Sequence, residues 1–418
     1  MADWHLWLPP ALAKPRFRMY AAGHSVSVIG GWIQQVALAW LVFRLSGSTV
    51  LLGVTGFLLN IFYLLLGPVA GAATDRFPKL QMLIVIDLVL ALCAAILAVL
   101  AAAQVTYIPA YLAIAAVIGI ANAFEMTVRQ ILIRDIVEER ALISSALGVS
   151  AMLFNGGRMV GPAIAGLALA YLSEAWCFAI NALSFGAIIA ALLAMRLPES
   201  ARVAPGRPGA LPQGLAAGLS VLVSFPVVRF LLPTVVALGL FATPYVPLMP
   251  SIAAAFFDGR SSTVGWLMSA AGLGALGSAA YLSLQPGYGR QLRLQTLAPL
   301  VTGVVLMAFA WSRSLPVSML LLAALGASAL VGVNSTNAML QQSVPEEWRG
   351  RAIGLYSMAF AGTAPLGGLL AGFLADRIGL AATLTLNGCI IFAAGLVGRW
   401  RLHNHPEAVR GLMRSLMR

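Results

Sequence analysis

Twelve apolar stretches, each at least 19 residues long and parted by short polar turns, run through this sequence at roughly 19–43, 50–73, 80–103, 109–131, 144–172, 176–195, 229–256, 263–285, 294–312, 315–340, 350–375 and 380–400. The hydrocarbon core of a bilayer is about 30 Å thick, and a helix needs about 20 apolar residues to cross it. Backbone amides in lipid must be satisfied within the segment, so stretches of this length span as helices. The pattern predicts an all-α integral membrane chain with twelve transmembrane helices. Gly and Pro interrupt many stretches, which a bundle tolerates because neighbouring helices satisfy the freed backbone groups.

Composition removes most other classes. Of 418 residues, 60% are hydrophobic and 10% charged, whereas a soluble domain carries about 25% charged residues. A soluble enzyme is excluded on that ground. A membrane enzyme would need a nucleophile-base or metal constellation, and His5, His24, His403 and His405 show no such spacing. Cys93, Cys177 and Cys389 all lie in apolar runs, so no disulfide framework, metal site or cofactor is expected. A net charge of +12 raises nucleic acid as a partner. The basic residues fall in short clusters between apolar stretches and offer no binding face, so no such partner is expected. A receptor or assembly protein would carry a large extramembrane domain, for which the chain has no room.

The basic residues also set the topology. The first stretch, behind Lys14, Arg16 and Arg18, is too long for the core of a cleavable signal peptide and reads as a retained helix. With both ends inside, twenty of the 26 Lys and Arg lie on the cytoplasmic side; Arg44, Arg260, Arg313 and Arg377 lie outside, and Arg129 and Arg158 within stretches. Short cytoplasmic loops hold the excess of Lys and Arg. The chain is therefore expected as a multi-pass protein of the plasma membrane, the inner membrane of a bacterium, with both termini cytoplasmic.

Residues 146–187 match 352–393 at a fixed offset of 206. Gly148, Met152, Phe154, Gly156, Gly161, Gly166 and Asn181 fall on Gly354, Met358, Phe360, Gly362, Gly367, Gly372 and Asn387. Parallel repeats of six helices build a central pathway in one large transporter class. The expected organisation is a six-helix bundle over 1–196, a Pro-, Gly- and Arg-rich cytoplasmic linker over 197–226, a second six-helix bundle over 227–402 and a basic tail over 403–418. In the tail, Val409, Leu412, Met413, Leu416 and Met417 share one helical face and Arg410, Arg414 and Arg418 another. That pattern fits an interfacial amphipathic helix, with a disordered basic tail as the alternative.

Ionisable residues inside a membrane are costly and usually face a cavity or a partner. Arg158 lies near the middle of the fifth stretch, beside Asn155; its guanidinium cannot deprotonate, so it needs an anion, a carbonyl cage or water. The repeat sets Ala364 opposite it, so the halves are chemically unequal. Glu125 and Arg129, four apart in the fourth stretch, share a helix face and can pair. Asp87 is a second candidate carboxylate, and His24 can titrate in the physiological range. The candidates for proton coupling are Glu125, Asp87 and His24; those for substrate binding are Arg158, Arg129, Asn155 and Asn181. The alternatives are plain: static buried pairs for Arg158 and for Glu125 with Arg129, an interfacial Asp87, and a hydrogen-bonded core His24. Gly157, Gly161 and Gly166 with Pro162 put small residues along one stripe, which lets another helix approach closely.

The chain resembles the major facilitator superfamily over its whole length. The turn after the second stretch reads Gly71-Ala-Ala-Thr-Asp75-Arg76-Phe77-Pro78-Lys79-Leu80, similar to that family's Gly-x-x-x-Asp-Arg-x-Gly-Arg-Lys, with Pro78 and Leu80 departing from it. The resemblance implies that Gly71, Asp75, Arg76 and Lys79 form a gating latch. Gly157-Arg-Met-Val-Gly161-Pro162-Ala-Ile-Ala165-Gly166 is similar to the family's antiporter motif, with alanine for one glycine. The run Phe154-Asn155 through Pro162, Glu174-Ala175-Trp176 and Asn181 resembles the branch holding the enterobactin exporter and related drug:proton antiporters. The resemblance implies a monomeric, proton-coupled exporter of a small organic molecule, siderophore-like or drug-like, working by alternating access in the lipid bilayer. A same-fold importer or facilitator is the alternative.

Overall fold

The computed structural model describes residues 9–74, 76–195, 224–283 and 288–404. Asp75, most of the expected linker and the tail from residue 405 lie outside the described residues. Among the described residues the chain is helical, with no strand. The helices are α1 (Pro15–Ser46), α2 (Thr49–Thr74), α3 (Lys79–Ala102), α4 (Ile108–Val137), α5 (Arg140–Tyr171), α6 (Glu174–Ala194), α7 (Pro226–Ala237), α8 (Met249–Phe256), α9 (Ser261–Ser283), α10 (Tyr288–Trp311), α11 (Leu315–Ser343), α12 (Glu346–Ala361), α13 (Thr363–Ile378) and α14 (Leu380–Asn404). Several open on proline in the first turn, as at Pro226, Pro250 and Pro316, where the missing amide hydrogen costs nothing. The sharp reversals between α1 and α2 and between α13 and α14 turn on Gly47 (φ 62°) and Gly379 (φ 84°), a region open to glycine at no steric cost.

Among the described residues, ten segments are long and apolar enough to cross a membrane, with α12 and α13 running together as one. Two of the twelve expected stretches are not in that set. One is α5, whose apolar character is diluted by Asn155 and Arg158. The other is the seventh, expected as one helix over 229–256. It is discontinuous: α7 runs into a five-residue π-helix, Leu238–Ala242, then a turn through Pro244 and Pro247, then α8. Proline lacks the amide hydrogen that continues a helix and clashes with the preceding turn, which accounts for the break.

The chain divides into two compact units, one within Met1–Ser46 and Leu58–Pro212, the other within Gly47–Phe57 and Gln213–Arg418. In the first unit α1 lies against α4, α5 and α6, and α3 against α4 and α6. Lipid tails are as apolar as leucine, so burial of greasy surface does little to join spanning helices, and close packing of small residues takes its place. Gly30 of α1 meets Asn181 and Ser184 of α6, Gly23 meets Ala187, Ile188 and Ala191, and Gly119 of α4 meets the Leu58 carbonyl. On α5, Gly157 and Gly161 meet Val28, Ile29 and Trp32 of α1. In the second unit, α10 packs on α11 and α14, and α9 on α11. The opening turns of α2 group there because Gly53 and Gly372 bring backbones together and Thr49 Oγ1 donates to the Gly372 carbonyl at 3.0 Å.

Ion pairs tie the ends of the first unit. Lys14 and Arg16 at the start of α1 pair with Glu139 and Glu138 at the α4–α5 junction, and Lys79 pairs with Asp135 at 2.9 Å. At the other end Arg44 pairs with Glu174 at 2.7 Å.

A methyl group tests the packed seam between α1 and α5. A Cβ at Gly161 would stand 2.5 Å from Trp32 Cβ, whereas at Gly156 nothing lies within 4 Å. Gly161→Ala is expected to destabilise the protein by about 1–3 kcal/mol through overpacking, while Gly156→Ala is expected to leave stability unchanged or raise it by up to about 1 kcal/mol. Thermal unfolding of the two variants in detergent checks the opposite signs.

Candidate functional site

Three helices of the first unit converge on one guanidinium. Arg129 stands on α4, one helical turn beyond Glu125, and the two pair through Nη2 and Glu125 Oε1. Nη1 of the same side chain contacts His24 Nδ1 on α1. Arginine has donors only, so His24 Nδ1 is the acceptor and carries no proton in this arrangement. On α3, Asp87 Oδ1 lies 3.6 Å from Nη2. Asp87 is wholly buried, and neither of its carboxylate oxygens has a hydrogen-bond partner among the described residues. Glu125 keeps 19% of its side chain exposed, against 9% for Arg129. The Tyr20 ring stacks on His24 at 5.4 Å between centroids, and Tyr20 and Tyr63 of α2 both lie within the field of Arg129.

Charge bookkeeping gives this cluster its chemistry. One guanidinium faces two carboxylates and a neutral imidazole, so full ionisation leaves one negative charge uncompensated in a buried place. Burying an unpaired charge is costly, and one proton on either carboxylate removes the imbalance. Arg129 is already shared between an accessible acid and a sealed one. Small movements can pass it from one to the other.

Asp87, Glu125, Arg129 and His24 thus come together, and Arg158 does not join them. Among the described residues Arg158 is in no ion pair; its guanidinium lies over the Trp32 ring at 5.9 Å from the centroid. Trp32 in turn meets Phe154 at 5.9 Å, with the rings inclined at 60°. Asn155 donates through Nδ2 to the Ala151 carbonyl within its own helix. Asn181 is buried, donating to Gln34 Oε1 at 2.9 Å and accepting from Ser184 Oγ at 3.0 Å, which fastens α6 to α1. Gly157, Gly161, Pro162 and Gly166 are all buried, but not on the single stripe expected: Gly157 and Gly161 face α1, while Gly166, nine residues and half a turn on from Gly157, lies on the opposite side of α5, and the helix continues through Pro162. Gly71 accepts from Thr74 Oγ1 through its carbonyl, Arg76 is exposed, and Lys79 pairs with Asp135. Trp32, Gln34 and Asp135 were not among the candidates read from the sequence. An aromatic or amide residue in an apolar run carries no signal by itself, and their partners are more than fifty residues away in the chain.

Residues 7–409 match the family described as transmembrane secretion effector, MFS_3. The chain belongs to this family of the major facilitator superfamily. It is 30% identical over 391 residues to the multidrug efflux pump Tap of Mycobacterium tuberculosis, covering 91% of this chain and 90% of that one. It is 25% identical over 374 residues to the staphyloferrin A transporter of Staphylococcus aureus, covering 86% and 89% of the two chains. Among solved structures, a POT family transporter in complex with a thioalcohol-conjugated peptide superposes with a TM-score of 0.73 at 11% identity, over 94% of this chain and 96% of that one. That likeness shows a shared fold.

In this major facilitator chain the buried cluster makes a stability prediction of its own. Arg129→Gln leaves two carboxylates without a cation and is expected to destabilise the protein by about 3–5 kcal/mol, as for other broken buried pairs. Adding Asp87→Asn to that variant removes one of the orphaned charges and is expected to restore part of the loss. Thermal unfolding in detergent of the single and double variants reads the sign of the coupling.

Proposed function

We propose that this chain is a proton-coupled exporter of a small organic molecule, working by alternating access across the inner membrane of a bacterium. The observation that carries this reading is the buried cluster of His24, Asp87, Glu125 and Arg129, which has the charge balance of a group that takes up one proton. Glu125, the partly accessible acid, is the entry point; Asp87, sealed and paired to Arg129 at 3.6 Å without a hydrogen bond, takes the guanidinium more closely when Glu125 is protonated. His24 steadies the guanidinium from α1. A proton entering down the gradient supplies about 2.3 kcal/mol per 100 mV and about 1.4 kcal/mol per pH unit, enough for a tenfold to hundredfold export gradient. For coupling, substrate must bind the two states of the cluster differently.

Likeness to a multidrug efflux pump and to a siderophore transporter supports export of drug-like or siderophore-like compounds. We assign substrate binding to Arg158 and Asn155, with Arg129 the group the two loads share. Asn181 belongs to the packing of α6 on α1.

Twelve spans follow if α5 and the broken seventh stretch cross the membrane along with the ten apolar segments. Two six-helix pseudo-repeats, over 1–196 and 227–402, draw support from packing: Gly161 lies against the backbone of α1, and its repeat partner Gly367 lies against the Leu240 carbonyl of the seventh stretch. Both termini are then on the cytoplasmic side, the expected linker and tail lying outside the described residues apart from 224–226, 403 and 404. Gly71, Arg76 and Lys79 stand at the cytoplasmic end as parts of the latch, whose Asp75 lies outside the described residues. The ion pairs of Lys14, Arg16 and Lys79 at one end of the unit, opposite Arg44, agree with that orientation. The unit of transport is the monomer.

Efflux from proteoliposomes, screened over drug-like and siderophore-like compounds with an imposed pH gradient, tests the reading. Wild-type protein is expected to accumulate a compound against its gradient and to stop when the pH gradient is collapsed. Glu125→Gln is expected to lose uphill transport by about a hundredfold, in the range that loss of a proton-transfer group costs, while downhill exchange continues. Uphill extrusion that ignores a collapsed gradient, or a Glu125→Gln variant that pumps normally, contradicts it.

A further inference from the structure

Arg158 is a charged side chain deep within α5 that the cluster does not use, and its surroundings are specific. It stands 18 residues from the start of α5 and 13 from its end. At about 1.5 Å of rise per residue, it lies about 20 Å or more from either end of the helix. It is partly exposed and, among the described residues, is in no ion pair. Arginine cannot shed its charge, so without a carboxylate beside it the guanidinium is met by water or by an anion, and its partial exposure leaves it open to a charged ligand.

The groups around it describe that anion. Trp32 is anchored at its base, because its Cβ packs on Gly161, where an added Cβ would stand 2.5 Å from it, and its Cδ1 lies beside Gly157. Glycines on α5 therefore do more than let two helices meet. They hold the indole at a fixed place on the seam, where its ring reaches both Arg158 and Phe154, each at 5.9 Å. Phe154 is 51% exposed, one turn before Arg158 on α5. Between them, Asn155 gives one of its two Nδ2 hydrogens to the Ala151 carbonyl and keeps the other as a donor. A partly exposed cation over one aromatic ring, with a second ring against the first, matches a ligand with two parts: a flat aromatic ring that stacks and an acidic group that pairs.

We propose that Trp32, Phe154 and Arg158 form a binding platform for planar aromatic anions, with Trp32 and Phe154 selecting the ring and Arg158 the charge. This rests on the transporter reading and deepens it by naming a substrate class. It does not depend on proton coupling, so the two can fail separately. Ring and charge act on the ligand together: a non-planar anion of equal charge loses the stacking, and a neutral aromatic loses the ion pair.

Equilibrium dialysis of the full-length protein in detergent at constant pH tests it, with radiolabelled naphthalene-2-sulfonate, cyclohexanesulfonate and 2-methoxynaphthalene as probes. The two sulfonates stay ionised at every working pH, so titration of the His24–Arg129 cluster does not enter. Wild-type protein is expected to bind naphthalene-2-sulfonate at least about tenfold more tightly than either other probe, equivalent to ~1.4 kcal/mol. Arg158→Gln is expected to weaken naphthalene-2-sulfonate about tenfold or more and leave 2-methoxynaphthalene unchanged. Trp32→Leu is expected to weaken naphthalene-2-sulfonate by a similar factor and leave cyclohexanesulfonate unchanged, while Trp32→Phe, which keeps a ring and controls for folding, retains most of the affinity. Equal binding of the two sulfonates by wild-type protein overturns the proposal, as does a Trp32→Leu or Arg158→Gln variant that folds and binds naphthalene-2-sulfonate as wild type does. If neither sulfonate binds while another compound is pumped uphill, the platform is wrong and the exporter reading stands.

Discussion

A guanidinium shut inside a membrane-embedded bundle cannot discard its charge, and the first unit of this protein is arranged around that fact. Arg129 draws a histidine from α1, an aspartate from α3 and a glutamate from its own helix into contact or near contact. Replacing the whole of such a cluster by well-packed apolar side chains would often cost nothing in stability, because desolvation offsets much of the attraction. Its place is better explained by what it can do. With two acids for one cation, the cluster gains neutrality by taking a proton, and the two acids differ in access to solvent. A static ion pair needs no second acid, and Asp87, sealed and held to the arginine at 3.6 Å without a hydrogen bond, leaves room for a closer contact.

The helices that carry these groups are held by small residues, not by greasy ones. Gly23 and Gly30 bring α1 onto α6, and Gly157 and Gly161 bring α5 onto α1. With backbones this close, α1 becomes the common wall of both features: His24 points into the ionic cluster and Trp32 toward Arg158. A change in the seating of α1 would be felt by both. That shared helix offers a physical route for the coupling that an exchanger requires, through one rigid element that both sites contact.

Much of the fold was legible from the sequence, because lipid imposes so severe a rule on length and polarity that apolar stretches read almost directly as helices. The exceptions follow from composition: α5 is too polar to stand out, and Pro244 and Pro247 break a stretch whose hydropathy looks continuous. The site was legible in part. Glu125 and Arg129 could be paired from their spacing, since four residues bring side chains together on any helix. Asp87 and His24 could be named singly from their cost, but nothing local says that α1 and α3 bring them to the same arginine. Arg158 shows the same limit in reverse. Its charge marks it in the sequence, but its neighbour is Trp32, a residue 126 positions earlier that no charge or motif marks. Tertiary convergence, not residue chemistry, is what a single sequence withholds.

Infrared difference spectroscopy of the purified protein between acid and alkaline buffer looks directly at the carboxyl groups on which everything else turns. A band for a protonated carboxylic acid in a dry environment is expected to appear and disappear with pH in wild-type protein, and to be lost or displaced in Glu125→Gln and Asp87→Asn. A spectrum in which no such band titrates, or in which it survives unchanged in both variants, would mean that Arg129 and its acids are a fixed brace and not the seat of proton exchange.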